Sequence, residues 1–129
     1  FVSGMDAGKI YNSWPLMGNS YFPNDSNFLN LFKISVFNDP SLVQFIHRNL
    51  AYVIGITYLF ILYKVYKNKM NDLYNVVNIL GLFIIIQIIL GIFTILSGAE
   101  IYIASMHQIS SIFLVSSCVY FLYLNTKFN

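Results

Sequence analysis

The chain has two histidines, His47 and His107, and these are the residues whose type and placement could do chemistry. Each lies about two turns into a long apolar segment, where an ionisable side chain is costly and is therefore a functional candidate. Two neutral imidazoles that face one another are a natural pair of axial ligands for a haem iron. The two can act together only if the elements that carry them place both at the same depth.

Composition restricts those elements to membrane-spanning helices. Of the 129 residues, 57% are hydrophobic and only 9% are charged, whereas a soluble domain normally carries about 25% charged residues. Three apolar stretches, at about 42–63, 74–96 and 101–124, each reach the ~20 residues that a helix needs to cross the bilayer. The sequence therefore predicts an all-α integral membrane protein with three full transmembrane helices.

The first residues indicate a fourth helix. The apolar run Phe1–Gly4 follows no initiator Met and is typical of the last turn of a helix. We expect the chain to be a fragment that forms part of a four-helix transmembrane bundle. Residues 9–41 are predicted to form an outer loop, with apolar pairs near 28–37 lying on the membrane surface. The Asp39-Pro40 pair is typical of a helix start.

The lysines predict the orientation of the chain. Lys64, Lys67 and Lys69 crowd the connection between the first two helices, and Lys127 lies in the tail. By the positive-inside rule, this connection and the C-terminus face the cytoplasm or matrix. The loop at 9–41 and the turn at 97–100 then face outward. Bacterial cytoplasmic membrane and mitochondrial inner membrane fit this topology equally well.

The helix starts then predict the depth of both histidines. His47 follows Asp39 by about 8 residues and His107 follows Gly98 by about 9, so both lie ~12–13 Å along helices that begin on the outer side. Small residues share their helix faces. These are Ala51, Gly55, Ala104, Ser110 and Ser111. They could provide clearance for a porphyrin plane or simply allow close helix packing.

Other sites are less well supported by the residues. Zinc would lack a third and fourth ligand at this level, and a proton relay would lack membrane carboxylates. Arg48 could pair with haem propionates or extend to the interface. Asn78, Gln87 and Thr94 are predicted to form interhelical hydrogen bonds. Nucleic-acid binding is not indicated, because the chain has no basic stripe.

Three segments together resemble the haem A synthase family. Residues 1–18 (FVSGMDAGKIYNSWPLMG) are similar to its FVAGLDAG…YNTWPLM segment. Residues 43–52 (VQFIHRNLAY) are similar to its VQFxHRxxAY helix. Residues 87–96 (QIILGIFTIL), followed by His107-Gln108, are similar to its QxxLGIxTLL…HQ pair. The matches occur in order and cover nearly the whole chain.

The resemblance implies a fold, a reaction and a cofactor. Family members have eight helices in two halves and oxidise a methyl group of haem O to the formyl group of haem A. Residues 1–129 would be the C-terminal half, with haem b held between His47 and His107 and Arg48 beside it. The E-x-x-H motif of the other half is here Gln44-Phe45-Ile46-His47, so an amide replaces the carboxylate. The chain is therefore expected to relay electrons and to be inactive without the missing N-terminal half.

Partners and competing functions follow from the same resemblance. It implies haem O as substrate, lipid around the helices, and haem O synthase and a second copy of the chain as partners. A bis-histidine cytochrome b-type anchor for electron transfer would need the same ligand pair, so the residues alone leave it open. A structural membrane subunit without a cofactor is the third alternative.

Overall fold

The computed structural model describes residues 2–128, and this part of the chain is helical with no β-strand. Its three long helices are α1 (Pro40–Lys67), α2 (Tyr74–Leu96) and α3 (Ile101–Phe128). Each is long and apolar enough to cross a membrane. The predicted all-α integral membrane fold is confirmed. Which side of the membrane each connection faces stays a prediction.

A side-chain cap, a proline and a glycine turn determine where α1 begins and α2 ends. The Asp39 carboxylate accepts hydrogen bonds from the backbone N–H groups of Ser41 (3.0 Å) and Leu42 (3.2 Å), which caps α1, and Pro40 fills the first helical position. At the end of α2, Gly98 has a φ of 70° and donates its N–H to the carbonyl of Ile95 at 3.0 Å. The chain therefore reverses into α3 within a few residues.

Short 3-10 turns replace two of the predicted segments. Near the start, Ser3–Met5 and Ala7–Lys9 form 3-10 turns where the sequence predicts the last turn of a helix, while Phe1 lies outside the described residues. The predicted surface segment consists of the 3-10 helices Phe28–Phe32 and Ile34–Asn38. Its apolar side chains are largely exposed, up to 92% for Ile34. Its location on the membrane surface stays a prediction.

The three long helices meet tightly at one end only. We call this the lysine end, because it includes Lys64, Lys67 and Lys69; the opposite end, where α1 begins and α2 turns into α3, is the loop end. A buried cluster at the lysine end joins all three helices and the turn between α1 and α2. Its members are Val65, Leu73, Val76, Val77 and Phe121.

Between the two ends, α1 stands apart from the other helices. Helices α2 and α3 stay in contact on the side of the cluster toward the loop end, where the Phe83 and Phe113 rings stack with centroids 5.8 Å apart. In contrast, none of the α1 residues 50–57 is buried. This part of α1 is therefore not enclosed by the other described helices.

Candidate haem-binding site

The structure brings the two histidines together across α1 and α3. The ring centroids of His47 and His107 are 6.4 Å apart, and the ring planes are nearly perpendicular at 86°. Both residues lie in the second turn of helices that begin at the loop end. The common depth predicted from the helix starts is therefore confirmed.

This spacing suits two imidazoles that bind one metal ion from opposite sides. A metal–imidazole nitrogen bond is about 2.0–2.1 Å long, and the centre of a five-membered ring with bonds of about 1.33 Å lies roughly 1.1 Å from its atoms. Two such ligands have centroids about 6.3 Å apart. The pair could therefore hold an iron ion.

Two residues of α2 lie against His107. The Gln87 side-chain amide donates to the carbonyl of His107 at 3.0 Å and to the hydroxyl of Ser110 at 2.6 Å. One turn further along α2, Gly91 lies so close that a Cβ there would be 3.2 Å from His107 Cε1. The imidazole thus packs against the backbone of α2.

The two ring nitrogens of His107 have different surroundings. Nδ1 is buried and has no hydrogen-bond partner among the described residues. Such an atom calls for an explanation, because buried polar atoms are normally paired. Since Nδ1 is enclosed, Nε2 is the nitrogen left to bind a metal.

His47 differs because it is exposed on α1. It lines an open apolar pocket of 190 Å³ together with residues of the chain start, the surface segment and α1. These are Val2, Phe37, Val43, Ile46 and Leu50. The side of His47 that faces this pocket is therefore accessible to an apolar group.

Arg48 and Gln44, one turn apart on α1, bind the outer loop. The Arg48 guanidinium donates to the carbonyls of Leu16 (3.2 Å) and Tyr11 (3.1 Å), and the Gln44 amide donates to the same Tyr11 carbonyl at 3.1 Å. Both side chains are buried, at 7% and 2% exposure. Sequence reasoning did not foresee this clamp. The available signal was a pair of polar residues at i and i+4, which share one face of α1.

A second set of contacts fastens the loop to the start of α1. Asp25 accepts hydrogen bonds from the hydroxyls of Ser41 and Tyr11, both at 2.7 Å. The Ser41 bond, assisted by the Tyr11 bond, lowers the pKa of Asp25 although partial burial opposes it. Burial, followed by the bond to Asp25, raises the pKa of Tyr11. Both shifts favour the ionised carboxylate and the neutral phenol that the loop uses.

Of the three side chains predicted to form interhelical hydrogen bonds, two do so and one does not. Gln87 reaches α3 as described, and Asn78 exchanges hydrogen bonds with the hydroxyl of Tyr66 on α1. Thr94 was predicted wrongly, because its hydroxyl donates to the Leu90 carbonyl of its own helix at 2.8 Å. A threonine hydroxyl is short enough to satisfy itself within one turn, whereas a Gln or Asn amide extends beyond it.

The small residues near the histidines leave space on α1. A Cβ added to Gly55 would meet nothing within 4 Å. On α3, the hydroxyls of Ser110 and Ser111 turn back to carbonyls of their own helix, those of His107 and Gln108. Among the described residues, no group of three or more His, Cys, Asp or Glu could hold a metal ion.

The sequence of the chain is similar to those of known proteins. A family model described as cytochrome oxidase assembly protein matches residues 1–119. The chain belongs to the cytochrome oxidase assembly protein family. Similar proteins include the "Heme A synthase" of Pelagibacter ubique, 44% identical over 98% of the chain, and that of Wolbachia pipientis, 43% identical over 95%. The "Heme A synthase" of Flavobacterium johnsoniae is 35% identical over 98% of the chain.

These relatives confirm the resemblance that the three sequence segments indicate. The chain spans 37%, 33% and 38% of the length of the Pelagibacter, Wolbachia and Flavobacterium proteins, respectively. It thus corresponds to a little over a third of such a family member. No solved structure matches the chain.

Proposed function

We propose that the chain holds a haem b between His47 and His107, within a protein of haem A biosynthesis. The observation that carries this proposal is the 6.4 Å spacing of the two imidazole centroids, which suits two ligands of one iron. A haem with two imidazole ligands exchanges single electrons, and that is the chemistry the group would supply. The relatives named "Heme A synthase" support the wider assignment.

Each residue of the site has a task in this proposal. His47 and His107 would bind the iron from α1 and α3, with Nε2 as the less enclosed nitrogen of His107. We propose that the macrocycle covers part of the segment 50–57 of α1, in which no residue is buried. Arg48 already donates to two loop carbonyls, so we propose that its first task is to hold the loop beside the haem. Its buried Nε has no partner among the described residues and is the donor left for a propionate.

The residue one turn before His47 favours electron transfer, and not oxidation of the substrate, as the role of this site. Gln44 stands one turn before His47, and its amide donates to a loop carbonyl. A carboxylate at this position could not donate that hydrogen bond. We therefore propose that oxidation of the haem O methyl group takes place in the remainder of the protein. Haem O synthase and a second copy of the chain stay predicted partners.

Optical spectroscopy tests the ligand pair. The intact protein, purified from membranes, is compared with the His47→Ala and His107→Ala variants by reduced-minus-oxidised spectra. We expect a low-spin haem b signal in the parent that is lost or becomes high-spin in both variants. Ser105→Ala serves as the control, because Ser105 is exposed and lies two residues before His107. Equal low-spin signals in all four proteins would refute the assignment.

An activity assay distinguishes the proposed function from that of a bis-histidine cytochrome b-type anchor. Incubation of the intact protein with haem O and oxygen should give haem A if the proposal is right. Haem b binding without this conversion, together with electron transfer from a quinol, would favour the anchor. An E-x-x-H motif in a second set of helices within the same reading frame would favour the synthase.

A further inference from the structure

Helix α2 contributes no histidine, yet it determines where the His107 side chain lies. Gln87 and Gly91 are one turn apart and therefore share a face of α2. Gln87 contacts the backbone of His107, and Gly91 contacts its ring. The backbone and the ring of His107 thus both lie against the same face of α2.

The ring contact leaves little room for a side chain at position 91, so the His107 ring would have to move by a few tenths of an ångström. A Cβ on Gly91 would lie 3.2 Å from Cε1 of His107, and 3.7 Å and 3.8 Å from Nδ1 and Nε2. Ordinary carbon–carbon contacts lie at about 3.5–4.0 Å. Because the two nitrogens are almost equally far away, an added methyl group would push on the Cε1 edge of the ring and move both nitrogens together.

The backbone contact fixes the residue that carries the ring. The Gln87 amide donates to the His107 carbonyl and to the Ser110 hydroxyl, and that hydroxyl donates to the same carbonyl at 3.0 Å. This closed set of bonds holds α3 in register with α2 at the level of the ligand. His47 differs, because it is exposed on a helix that stands apart.

We propose that Gly91 and Gln87 are positioning residues that set the orientation of the His107 imidazole and, through it, the ligand field of the iron. The effect on the ring follows from the protein geometry, and the effect on the iron rests on the proposed function. Groups that orient a metal ligand tune the properties of the metal. The angle of 86° between the two imidazole planes is the quantity that these residues would hold.

Two readouts on the Gly91→Ala variant test the proposal. The first is the electron paramagnetic resonance spectrum of the ferric, haem-loaded protein, in which we expect the low-spin g-values to be displaced while haem is retained. The second is the nuclear magnetic resonance signal of labelled histidine Cε1 without haem, assigned to His107 by the His107→Ala variant. We expect this signal to shift and the His47 signal to stay in place.

The control is Gly4→Ala, since a Cβ on Gly4 would meet nothing within 4 Å; neither readout should change. Gln87→Leu removes both hydrogen bonds without adding a charge, and we expect it to broaden or shift the His107 signal even if Gly91→Ala fails to fold. Gln87→Asn, which keeps the amide, should restore part of the native signal. Unchanged His107 signals in both Gly91→Ala and Gln87→Leu would overturn the proposal.

The two readouts also separate this proposal from the proposed function. If the parent protein bound no haem but Gly91→Ala still displaced the His107 signal, the haem assignment would fail and the positioning of the ring would stand. If the parent bound haem and the g-values of Gly91→Ala and Gln87→Leu matched those of the parent, the positioning role toward the iron would be wrong.

Discussion

At the scale of single residues, Asp25 makes the attachment of the outer loop dependent on pH. Its folded pKa is lowered from 3.8, chiefly by the Ser41 hydrogen bond. A lowered pKa contributes stability above the unfolded value that is lost as pH falls through the folded value. We therefore expect the loop to become sensitive to protease only below about pH 4. Limited proteolysis of residues 9–41 across a pH series measures this effect.

The matched variants for this prediction are Asp25→Asn and Tyr11→Phe. Asp25→Asn should remove the acid-dependent loss, because an amide does not titrate in this range. The pKa of Tyr11 is raised from 10.0, so its contribution is present below that value and is lost as pH rises through the folded value. Tyr11→Phe should accordingly remove the loss at alkaline pH. A loop that is cleaved equally at every pH would contradict the prediction.

The contacts of Arg48 with the outer loop were the hardest to predict from sequence. The bond from Arg48 to the Tyr11 carbonyl joins residues 37 positions apart, and the bond to Leu16 spans 32. No helical or strand period connects positions so distant. The histidine pair spans more of the chain, from position 47 to position 107, and was predictable only because each residue could be counted from its own helix start. Depth along a helix is a local property, whereas the path of a loop is not.

At the scale of elements, the apolar stretches predicted the helices better than they predicted the helix ends. Helix α2 has the predicted bounds, since the 3-10 turn Asn71–Leu73 precedes it and Gly98 follows it. Helix α1 extends from Pro40 to Lys67 instead of 42–63, because backbone hydrogen bonding continues after the apolar residues stop. Its last turns carry Lys64 and Lys67, whose ammonium groups lie 5.4 Å and 5.2 Å from the ring centroids of Phe60 and Tyr63. Such amphipathic turns remain helical at the interface.

The contact between α1 and α2 depends on a glycine. Gly81 is buried on α2, and a Cβ there would overlap the hydroxyl of Tyr58 on α1 and lie 2.6 Å from its Cζ. We expect Gly81→Ala to lower the free energy of unfolding by about 1–3 kcal/mol, as overpacking typically does. Unfolding of the purified protein in a denaturing detergent series measures this change.

A double-mutant cycle distinguishes a clash from a general effect of glycine replacement. Tyr58→Leu removes the ring that Gly81 accommodates, so the cost of Gly81→Ala should be much smaller in that background. Gly55→Ala is the control within a helix, because a Cβ at Gly55 meets nothing within 4 Å. It should be neutral or stabilising, since alanine favours helices by up to about 1 kcal/mol relative to glycine. Equal costs with and without Tyr58 would show that the two residues do not interact.

At the scale of the whole molecule, α1 is held by the other helices at the lysine end and by the outer loop at the loop end, and it stands apart between them. The buried cluster holds the lysine end, and the loop covers the first turns of α1, where Leu42, Val43 and Gln44 are buried. Between these regions the protein itself offers little to hold α1 against α3. An iron bound to His47 and His107 would connect the two helices next to the segment 50–57, in which no residue is buried.

This arrangement predicts that haem contributes strongly to stability. A ligand that binds only the folded protein adds about 2.7 kcal/mol when its free concentration is 100 times its dissociation constant. We expect removal of haem to lower the resistance of the protein to denaturing detergent by an amount of this order. His47→Ala should unfold like the haem-free parent and gain nothing when haem is added, because α1 has then lost its link to α3. Ser105→Ala should keep the full gain. If the parent with haem, the parent without it and His47→Ala all unfolded at the same detergent concentration, the iron would not be what joins α1 to α3.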